Sequence, residues 1–385
     1  MLSDEQIRQI RSRFRIFEQK IYLNSCSQGA LSDVVEASFH EHCDSWHQHG
    51  SPWDLWVQKY EAIRVQFARF IGADPDEVAV IPSASAGINA IASALEFTGR
   101  RKVVMGGFEF PTMGHVWLAQ QRRGAQVQFL TAQADRLPTE LYAESIDPQT
   151  LIVPVTHVCF LNGFRSDVPA IVRLAHAQGG LVLMDDYQDC GTRSVNVKAL
   201  DVDFYVSGTL KYLLGPSGVA FLYVRKSLVP FLTPSISGWF AQRNPFAFDV
   251  LHLDLSPSAR RFEAGTPPIP NIYAAAAGIS LLEEIGLDHI EAQVRRLTQA
   301  LIQGSRELGI RIKTPPDSVG PLVVLQSSNV EAVIARLDAQ NIICSGRHDG
   351  LRISFHVHNT LDDVREVLKV LGQCSDLMVR EDQMV

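Results

Sequence analysis

The chain contains 385 residues, of which 46% are hydrophobic and 20% charged, and its formal net charge is −7. This composition is typical of a soluble globular protein with one or two domains, and the acidic balance disfavours nonspecific binding to nucleic acid. No apolar run is long enough to predict a membrane span, and six scattered cysteines without a Cys-x-x-Cys motif indicate reduced thiols in a cytoplasmic protein.

The central part of the chain alternates short apolar runs with helical patterns. Strands separated by helices of this length predict a mainly parallel α/β sheet that helices cover on both faces. Ligands of such sheets bind beyond the strand ends. The predicted strands are residues 77–84, 101–107, 125–130, 151–160, 181–186, 201–207 and 219–224, and the predicted helices are residues 85–96, 113–124 and 168–180.

The C-terminal third has a different pattern. A long helix is predicted from Pro270 onward, with a break near Gly286, and short strands and helices follow it. This order predicts a smaller α+β domain. We therefore predict a large domain over residues 18–283 and a small domain formed by residues 1–17 and 284–385.

Three features at predicted strand ends carry chemistry. The segment 82–87, "PSASAG", follows a strand and opens a helix, so its amides and the hydroxyls of Ser83 and Ser85 suit an anion. Asp185 ends an apolar strand, and a buried carboxylate needs a cationic or donor partner. Lys211 lies between two apolar strands. A charged amine near a protein core is costly, so such a lysine is neutral, paired with an acid or used in catalysis.

Taken singly, these features are also explained by a helix N-cap, a structural ion pair and a surface lysine whose stem packs on apolar groups. Their order along the chain, which is anion cradle, acid and lysine, suits pyridoxal 5'-phosphate (PLP). The cradle would take the phosphate, the acid would keep the ring nitrogen protonated, and the lysine would hold the aldehyde as a Schiff base.

From about residue 21 to residue 372 the ordered set resembles the class V aminotransferase family of fold-type I PLP-dependent enzymes, which includes cysteine desulfurases, kynureninases and isopenicillin N epimerase-like proteins. The resemblance implies a mainly parallel, seven-stranded-type sheet covered by helices, with a smaller α+β C-terminal domain. It also implies a homodimer with shared active sites. The implied chemistry at the Cα of an amino-acid substrate is that of an aminotransferase or a C–S or β-lyase, with an epimerase or racemase of the same family as the alternative.

The resemblance assigns cofactor roles to residues at the family's motifs. Lys211 holds the cofactor and acts as general base, and Asp185 contacts the ring nitrogen. Phe110 stacks on the ring, and Gln188 contacts its phenolic oxygen. The implied phosphate contacts are Ser83, Ala84, Ser85, Ser207 and Thr209, with Thr266 of the partner subunit.

Substrate contacts are implied at Arg352, which grips the α-carboxylate bidentately, and at Asn24 and Phe160. Phe160 stands where desulfurases often have asparagine, so we expect a more apolar pocket. Leu210 precedes the lysine where the family usually has His or Tyr, so one phosphate contact is missing or supplied from elsewhere. Cys344 is predicted to lie in a strand as a buried thiol, not as a persulfide-forming nucleophile.

Two weaker signals have ordinary alternatives. His40, Cys43 and His47 would share a helix face with a spacing that zinc tolerates, but we predict no metal site and interpret 39–49 as a helix near a dimer interface with solvent-facing histidines. The aromatic loop 235–248 either walls the substrate pocket of a partner or packs within its own subunit, and its candidate residues are Trp239, Phe240 and Arg243.

A rival function from another class is a serine hydrolase that uses Ser85, because "SASAG" nearly matches G-x-S-x-G between a strand and a helix. This alternative leaves Lys211 and Arg352 unexplained. A non-catalytic scaffold without PLP is a third alternative, which the intact set of acid, glutamine, lysine and arginine disfavours.

Overall fold

The computed structural model describes residues 2–381. Its strands, in chain order, are β1 (Ile21–Tyr22), β2 (Val78–Ile81), β3 (Lys102–Gly106), β4 (Gln126–Leu130), β5 (Thr150–Thr156), β6 (Leu181–Asp185), β7 (Phe204–Gly208), β8 (Ala220–Val224), β9 (Leu322–Gln326), β10 (Ile342–Ile343), β11 (Ser345–Arg347) and β12 (Gly350–Ser354). Its helices are α1 (Asp4–Arg11), α2 (Asp33–His49), α3 (Trp53–Phe70), α4 (Ala84–Ala94), α5 (Pro111–Ala119), α6 (Thr139–Ser145), α7 (Val168–Ala177), α8 (Ile269–Ile285), α9 (Leu287–Glu307), α10 (Val330–Asp338) and α11 (Leu361–Gln373).

The central sheet has seven strands in the order β2-β8-β7-β6-β5-β3-β4. Strand β8 runs antiparallel to both of its neighbours, β2 and β7, and the other neighbouring pairs are parallel. The predicted mainly parallel sheet is therefore confirmed. Lys211 lies in the connection between β7 and β8, shortly after β7 ends at Gly208.

Both faces of the sheet are buried at its inner strands, as their near-continuous apolar runs predict, whereas edge strand β4 is largely exposed. Side chains of one strand point alternately to opposite faces. In β6, for example, Val182 and Met184 pack in the hydrophobic core on one face, and Leu183 packs in the core on the other. Helix α7 covers β5 and β6, and α4 covers β7 and β8.

The edge strand β2 is closed by side chains instead of another strand. Val78 O accepts from Arg64 Nη1 over 2.8 Å, Val80 N donates to Glu263 Oε1 over 3.0 Å, and Val80 O accepts from Tyr60 Oη over 3.1 Å. Arg64 and Glu263 also form a buried ion pair with each other. These contacts satisfy backbone groups that would otherwise invite pairing with another chain.

The C-terminal part forms the expected small α+β unit. Strands β11, β12 and β9 make an antiparallel sheet, and β1 from the N-terminal part pairs in parallel with β10. The predicted helix break is confirmed at Gly286, whose φ of 88° separates α8 from α9. The division into residues 18–283 and the two flanking segments stays a prediction.

Two local expectations differ from the structure. The helix predicted over 113–124 is α5 followed by a 3-10 turn that ends at Gly124, whose φ is 101°. Cys344 lies between β10 and β11 instead of inside one strand, because β10 pairs with β1 while β11 pairs with β12, and the chain changes sheets there. Among the described helices, none combines the length and apolar character that crossing a bilayer requires.

Candidate active site

A cavity of about 290 Å³ opens beyond the ends of β5, β6 and β7, beside the N-terminus of α4. Eight residues predicted for the site line it together: Ser83, Ala84, Ser85, Phe110, Phe160, Asp185, Gln188 and Lys211. The sheet topology explains this convergence, because parallel strands carry their end residues to one edge.

The N-terminus of α4 supplies the anion cradle. Ser83 is the N-cap, and its hydroxyl accepts from Ala86 N over 3.1 Å. The amides at the start of a helix have no partner within it, and the helix dipole adds positive potential. The Ser85 hydroxyl lies 3.0 Å from the Thr112 hydroxyl, which lines the same cavity.

The Lys211 amine lies close to two aromatic rings. Its Nζ lies 4.6 Å from the ring centroid of Tyr187 and 5.9 Å from that of Phe110. Burial is the main cause that lowers the pKa of this amine to about 8; Cys26 and Asp185 oppose the shift, and the charge of Arg352 adds to it. A lysine with such a pKa is partly neutral near physiological pH, as a nucleophile or base requires.

Asp185 is the last residue of β6 and is buried. Its Oδ1 accepts from Tyr187 N over 2.9 Å. Burial raises the pKa of this carboxyl to about 6, while that amide and the charge of Lys211 act in the opposite direction. The group is therefore largely ionised at neutral pH and can hold a proton on a basic ring nitrogen.

Behind Asp185 lies a buried polar network. His157 Nδ1 lies 2.6 Å from Asp186 Oδ1, Asp186 Oδ2 accepts from Tyr205 over 2.8 Å, and Arg165 pairs with Asp189 over 3.1 Å. His157, Asp186 and Asp189 offer ligand atoms close enough for a metal ion. Their imidazole, guanidinium and phenol partners account for both carboxylates, so the network is a structural support.

Two buried polar atoms near the cavity lack a partner within residues 2–381. Gln188 Nε2 donates to Cys26 O over 3.2 Å, but Gln188 Oε1 has no partner. Arg352 is 1% exposed, and its Nε is likewise unpaired. Buried groups of this kind are normally satisfied, so both indicate a polar ligand.

Arg352 lies on β12, the central strand of the three-stranded antiparallel sheet. Its Nη1 donates to Phe160 O over 3.2 Å, and its Nη2 donates to the hydroxyls of Ser27 and Ser345 over 2.8 and 2.9 Å. These partners are neutral. The guanidinium is thus oriented by polar contacts while its charge is left for an anionic ligand.

Five predicted residues are not among those that line the cavity: Arg352, described above, and Ser207, Thr209, Asn24 and Thr266. Ser207 donates to Asp186 O over 3.5 Å, and Thr209 donates to Pro216 O over 2.6 Å, so the hydroxyl proton of each is used within the subunit. Their contact with a phosphate stays a prediction. Asn24 accepts from the Cys26 thiol over 3.7 Å and pairs with Ser354. Thr266 is exposed on the surface and does not line the cavity of its own subunit.

The structure bears on both weaker sequence signals, the histidine-rich stretch 39–49 and the aromatic loop 235–248. His40, Cys43 and His47 face solvent as expected, but His42 is buried against Trp56 and Tyr273, which corrects the expectation that this stretch presents only exposed histidines. The described part of the chain gathers no metal-binding cluster in this stretch.

In the aromatic loop, Phe240 is buried against Tyr60, and Trp239 packs on Trp53. Arg243 pairs with Asp254 over 3.2 Å at the surface. Trp239, Phe240 and Arg243 therefore all have contacts within their own subunit, and a role at a partner's pocket stays a prediction.

Ten further lining residues were not predicted, among them Thr156, Tyr187, Ser217 and Gly218. Tyr187 lies inside the motif "MDDYQD", and Ser217 and Gly218 lie in the turn "GPSG" after the lysine, so adjacency to predicted residues is a usable signal.

The serine hydrolase alternative lacks its general base. No described histidine is among the lining residues, and the Ser85 hydroxyl is hydrogen-bonded to that of Thr112.

Comparison with known proteins identifies the family. The model of the aminotransferase class-V family matches residues 40–367, so the chain belongs to that family. It is 35% identical over 94% of its length to an uncharacterized aminotransferase, YcbU, of Bacillus subtilis (strain 168), and covers 96% of that protein.

Solved structures agree with this assignment. The apo structure of cysteine desulfurase from Thermococcus onnurineus NA1 superposes with a TM-score of 0.88 at 25% identity, covering 98% of this chain and 99% of that one. A C-DES mutant with glycine covalently linked to its PLP cofactor has a TM-score of 0.88 at 19% identity, with 94% and 98% covered. The predicted family, fold type I, PLP cofactor and enzyme class are confirmed.

The residues present fit PLP. The N-terminus of α4 suits the phosphate, Asp185 suits the ring nitrogen, and Lys211 suits the aldehyde, all within one cavity. The unpaired Gln188 Oε1 and Arg352 Nε are polar groups that a ligand would satisfy. The protein is therefore a PLP-dependent enzyme whose chemistry acts at the Cα of an amino acid.

Proposed function

We propose that this enzyme catalyses transamination or β-elimination of an α-amino acid, with Lys211 as the covalent anchor of PLP and as the base at the substrate Cα. The observation that carries the proposal is the presence of the Lys211 amine in one cavity with Asp185 and the N-terminus of α4. Lysine, acid and anion cradle match the aldehyde, ring nitrogen and phosphate of the cofactor.

Each proposed role follows from the surroundings of its residue. PLP supplies an electron sink for the charge that develops when a bond to Cα breaks. Lys211 Nζ, whose pKa burial lowers to about 8, takes and returns the Cα proton near neutral pH. The Asp185 carboxylate keeps a proton on the ring nitrogen, the first-turn amides of α4 bind the phosphate, and Phe110 covers one ring face.

Arg352 is proposed to bind the α-carboxylate of the substrate, because two serine hydroxyls and a carbonyl orient its guanidinium without neutralising it. Its Nη1 contact with Phe160 O connects this arginine to the cavity wall. Phe160 and Val158 make that wall apolar and exclude water from the reacting carbon.

Sulfur transfer through Cys344 is not part of the proposal. This thiol is 8% exposed, and burial, together with the nearby Cys26, raises its pKa to about 12. A nucleophilic cysteine needs accessible thiolate, which such surroundings disfavour. The proposed lyase chemistry therefore releases its product without a persulfide on this residue.

The anchor is tested by reducing the PLP-loaded protein with borohydride and locating the added mass by peptide mass spectrometry. We expect the adduct on Lys211 in the natural protein, and its loss, with turnover, in Lys211→Ala. Lys226→Ala, at a surface lysine 4.0 Å from Asp76, is the matched control and keeps the adduct. Full turnover by Lys211→Ala would refute the assignment.

The reaction type is read from a panel of amino acids: keto-acid-dependent amine exchange indicates transamination, pyruvate or sulfide release indicates a lyase, and D-amino-acid formation indicates the epimerase alternative.

A homodimer with shared active sites is also proposed. Residues 246–253, hereafter the apolar segment, expose Phe248, Val250, Leu251 and Leu253 by 70, 92, 82 and 64%. Exposed apolar groups in such a cluster are typical of an interface. Thr266 is exposed a short distance further along the chain, which suits a contact with the phosphate in the site of the partner subunit.

We propose a cytoplasmic location for the enzyme. All six cysteines are unpaired, five of them buried and Cys43 exposed. Unpaired thiols, including an exposed one, are typical of a reducing compartment.

A further inference from the structure

Tyr187 has no part in the roles proposed above, although it lies between two residues of the cofactor site. Its side chain lines the same cavity as Asp185, Gln188 and Lys211. Its amide N–H donates to Asp185 Oδ1 over 2.9 Å, so the backbone of Tyr187 already orients the acid.

The ring of Tyr187 lies beneath the reactive amine. The distance from Lys211 Nζ to its centroid is 4.6 Å, shorter than the 5.9 Å to the centroid of Phe110. The negative face of an aromatic ring attracts an ammonium at such distances. A lysine has four rotatable bonds, so contact with two aromatic rings restricts a side chain that would otherwise sample many rotamers.

The ring itself is seated on the loop that carries the lysine. A Cβ built on Gly208 would lie 2.5 Å from Cε2, Cζ and Oη of Tyr187, so only a glycine leaves room for the ring. The hydroxyl end faces the N–H of Leu210, which opposes the burial that raises the Tyr187 pKa to about 12. The phenol is therefore protonated at neutral pH and is available as a hydrogen-bonding partner for the loop.

We propose that Tyr187 is a positioning residue whose ring, seated on Gly208, holds the Lys211 amine where the aldehyde of PLP arrives. The inference rests on the proposed anchoring role of Lys211. In capture, the lone pair of the neutral amine forms the new bond at the aldehyde carbon, and one water leaves with the aldehyde oxygen and both amine protons. An amine fixed in advance loses less freedom in this step, so capture is faster.

The first test compares Tyr187→Ala with the conservative Tyr187→Phe in stopped-flow absorbance measurements of PLP capture by the apoprotein. We expect capture to be about tenfold slower in Tyr187→Ala and within about twofold of the natural rate in Tyr187→Phe, since phenylalanine keeps the ring. The circular dichroism that the bound cofactor acquires should weaken in Tyr187→Ala and persist in Tyr187→Phe. Capture by Tyr187→Ala at the natural rate would overturn the inference.

The second test uses the contact with Gly208. Gly208→Ala should slow capture in the natural background, because its methyl group displaces the ring, but should slow it no further in a Tyr187→Ala background. An equal effect in both backgrounds means that the ring is not what the methyl group disturbs, and contradicts the inference. If Gly208→Ala does not fold, the pair of Tyr187 variants decides alone.

The outcomes separate this inference from the function on which it rests. If the natural protein gives no borohydride-fixed adduct on Lys211, the anchoring role fails and the inference with it. If the natural protein gives the adduct and Tyr187→Ala forms it equally fast, only the role of Tyr187 fails.

Discussion

Lys211 lies in surroundings that favour its neutral form, and this has a consequence for pH dependence. Only the neutral amine is a nucleophile, and burial lowers its pKa from 10.5 to about 8. The neutral fraction therefore rises as pH increases through about 8, and at pH 7 it is on the order of a tenth, against less than about a thousandth for an ordinary lysine.

We accordingly predict that the rate of PLP capture by the apoprotein increases from pH 6.5 and levels off above about pH 9. Stopped-flow absorbance over this range measures the midpoint. A blocked free lysine, reacting with the same aldehyde, controls for ionisation of PLP itself and keeps its midpoint near 10.4. A protein midpoint equal to that of the free lysine would show that burial does not control this amine.

The Arg64–Glu263 pair illustrates what holds one element, the edge strand β2, in place. The two side chains bind Val78 O and Val80 N as well as each other. We predict that Arg64→Ala destabilises the protein by about 3–5 kcal/mol, because it removes the close cationic partner of the buried Glu263 carboxylate and the donor to Val78 O. Equilibrium urea unfolding measures this loss.

The control lies on the same helix. Arg69 pairs with Glu283 over 2.6 Å, but its side chain is 69% exposed. Arg69→Ala should therefore cost less than about 1 kcal/mol. Equal losses for Arg64→Ala and Arg69→Ala would mean that burial of the first pair adds nothing.

The strands of the central sheet show which parts of the fold and the site can be predicted from the sequence. Doubly buried strands are continuous apolar runs, so β5, β6 and β7 were predictable from local pattern, and with them the shared edge where Asp185 and Lys211 meet. The directions of hydroxyls are not local properties. The motif predicts Thr209 at the phosphate, but no local pattern reveals that its hydroxyl donates to Pro216 O in the turn after the lysine. The pairing of β1 with β10 likewise depends on residues that no local window contains.

At the scale of the molecule, the apolar segment is the feature that a single subunit leaves unexplained. If it forms the proposed dimer interface, Val250→Asp combined with Leu251→Asp places two charges in it and should convert the dimer to monomers. Sedimentation velocity measures the change, and the affinity for PLP should fall with it if Thr266 of the partner subunit contacts the phosphate. Phe129→Asp, which alters a 45% exposed aromatic residue on edge strand β4, is the control and should leave the assembly intact. An unchanged sedimentation coefficient in the double variant would exclude this segment as the interface.

The pairing of β1 with β10 also constrains when the enzyme can first work. Ile21 leaves the ribosome early, but its partner Ile342 is made about 320 residues later. At roughly 5–20 residues per second, the N-terminal strand waits on the order of 20–60 s for that partner. Ser27 and Arg352 meet only after the same interval. The nascent protein can therefore complete its central sheet well before it can orient the arginine that we propose for the substrate.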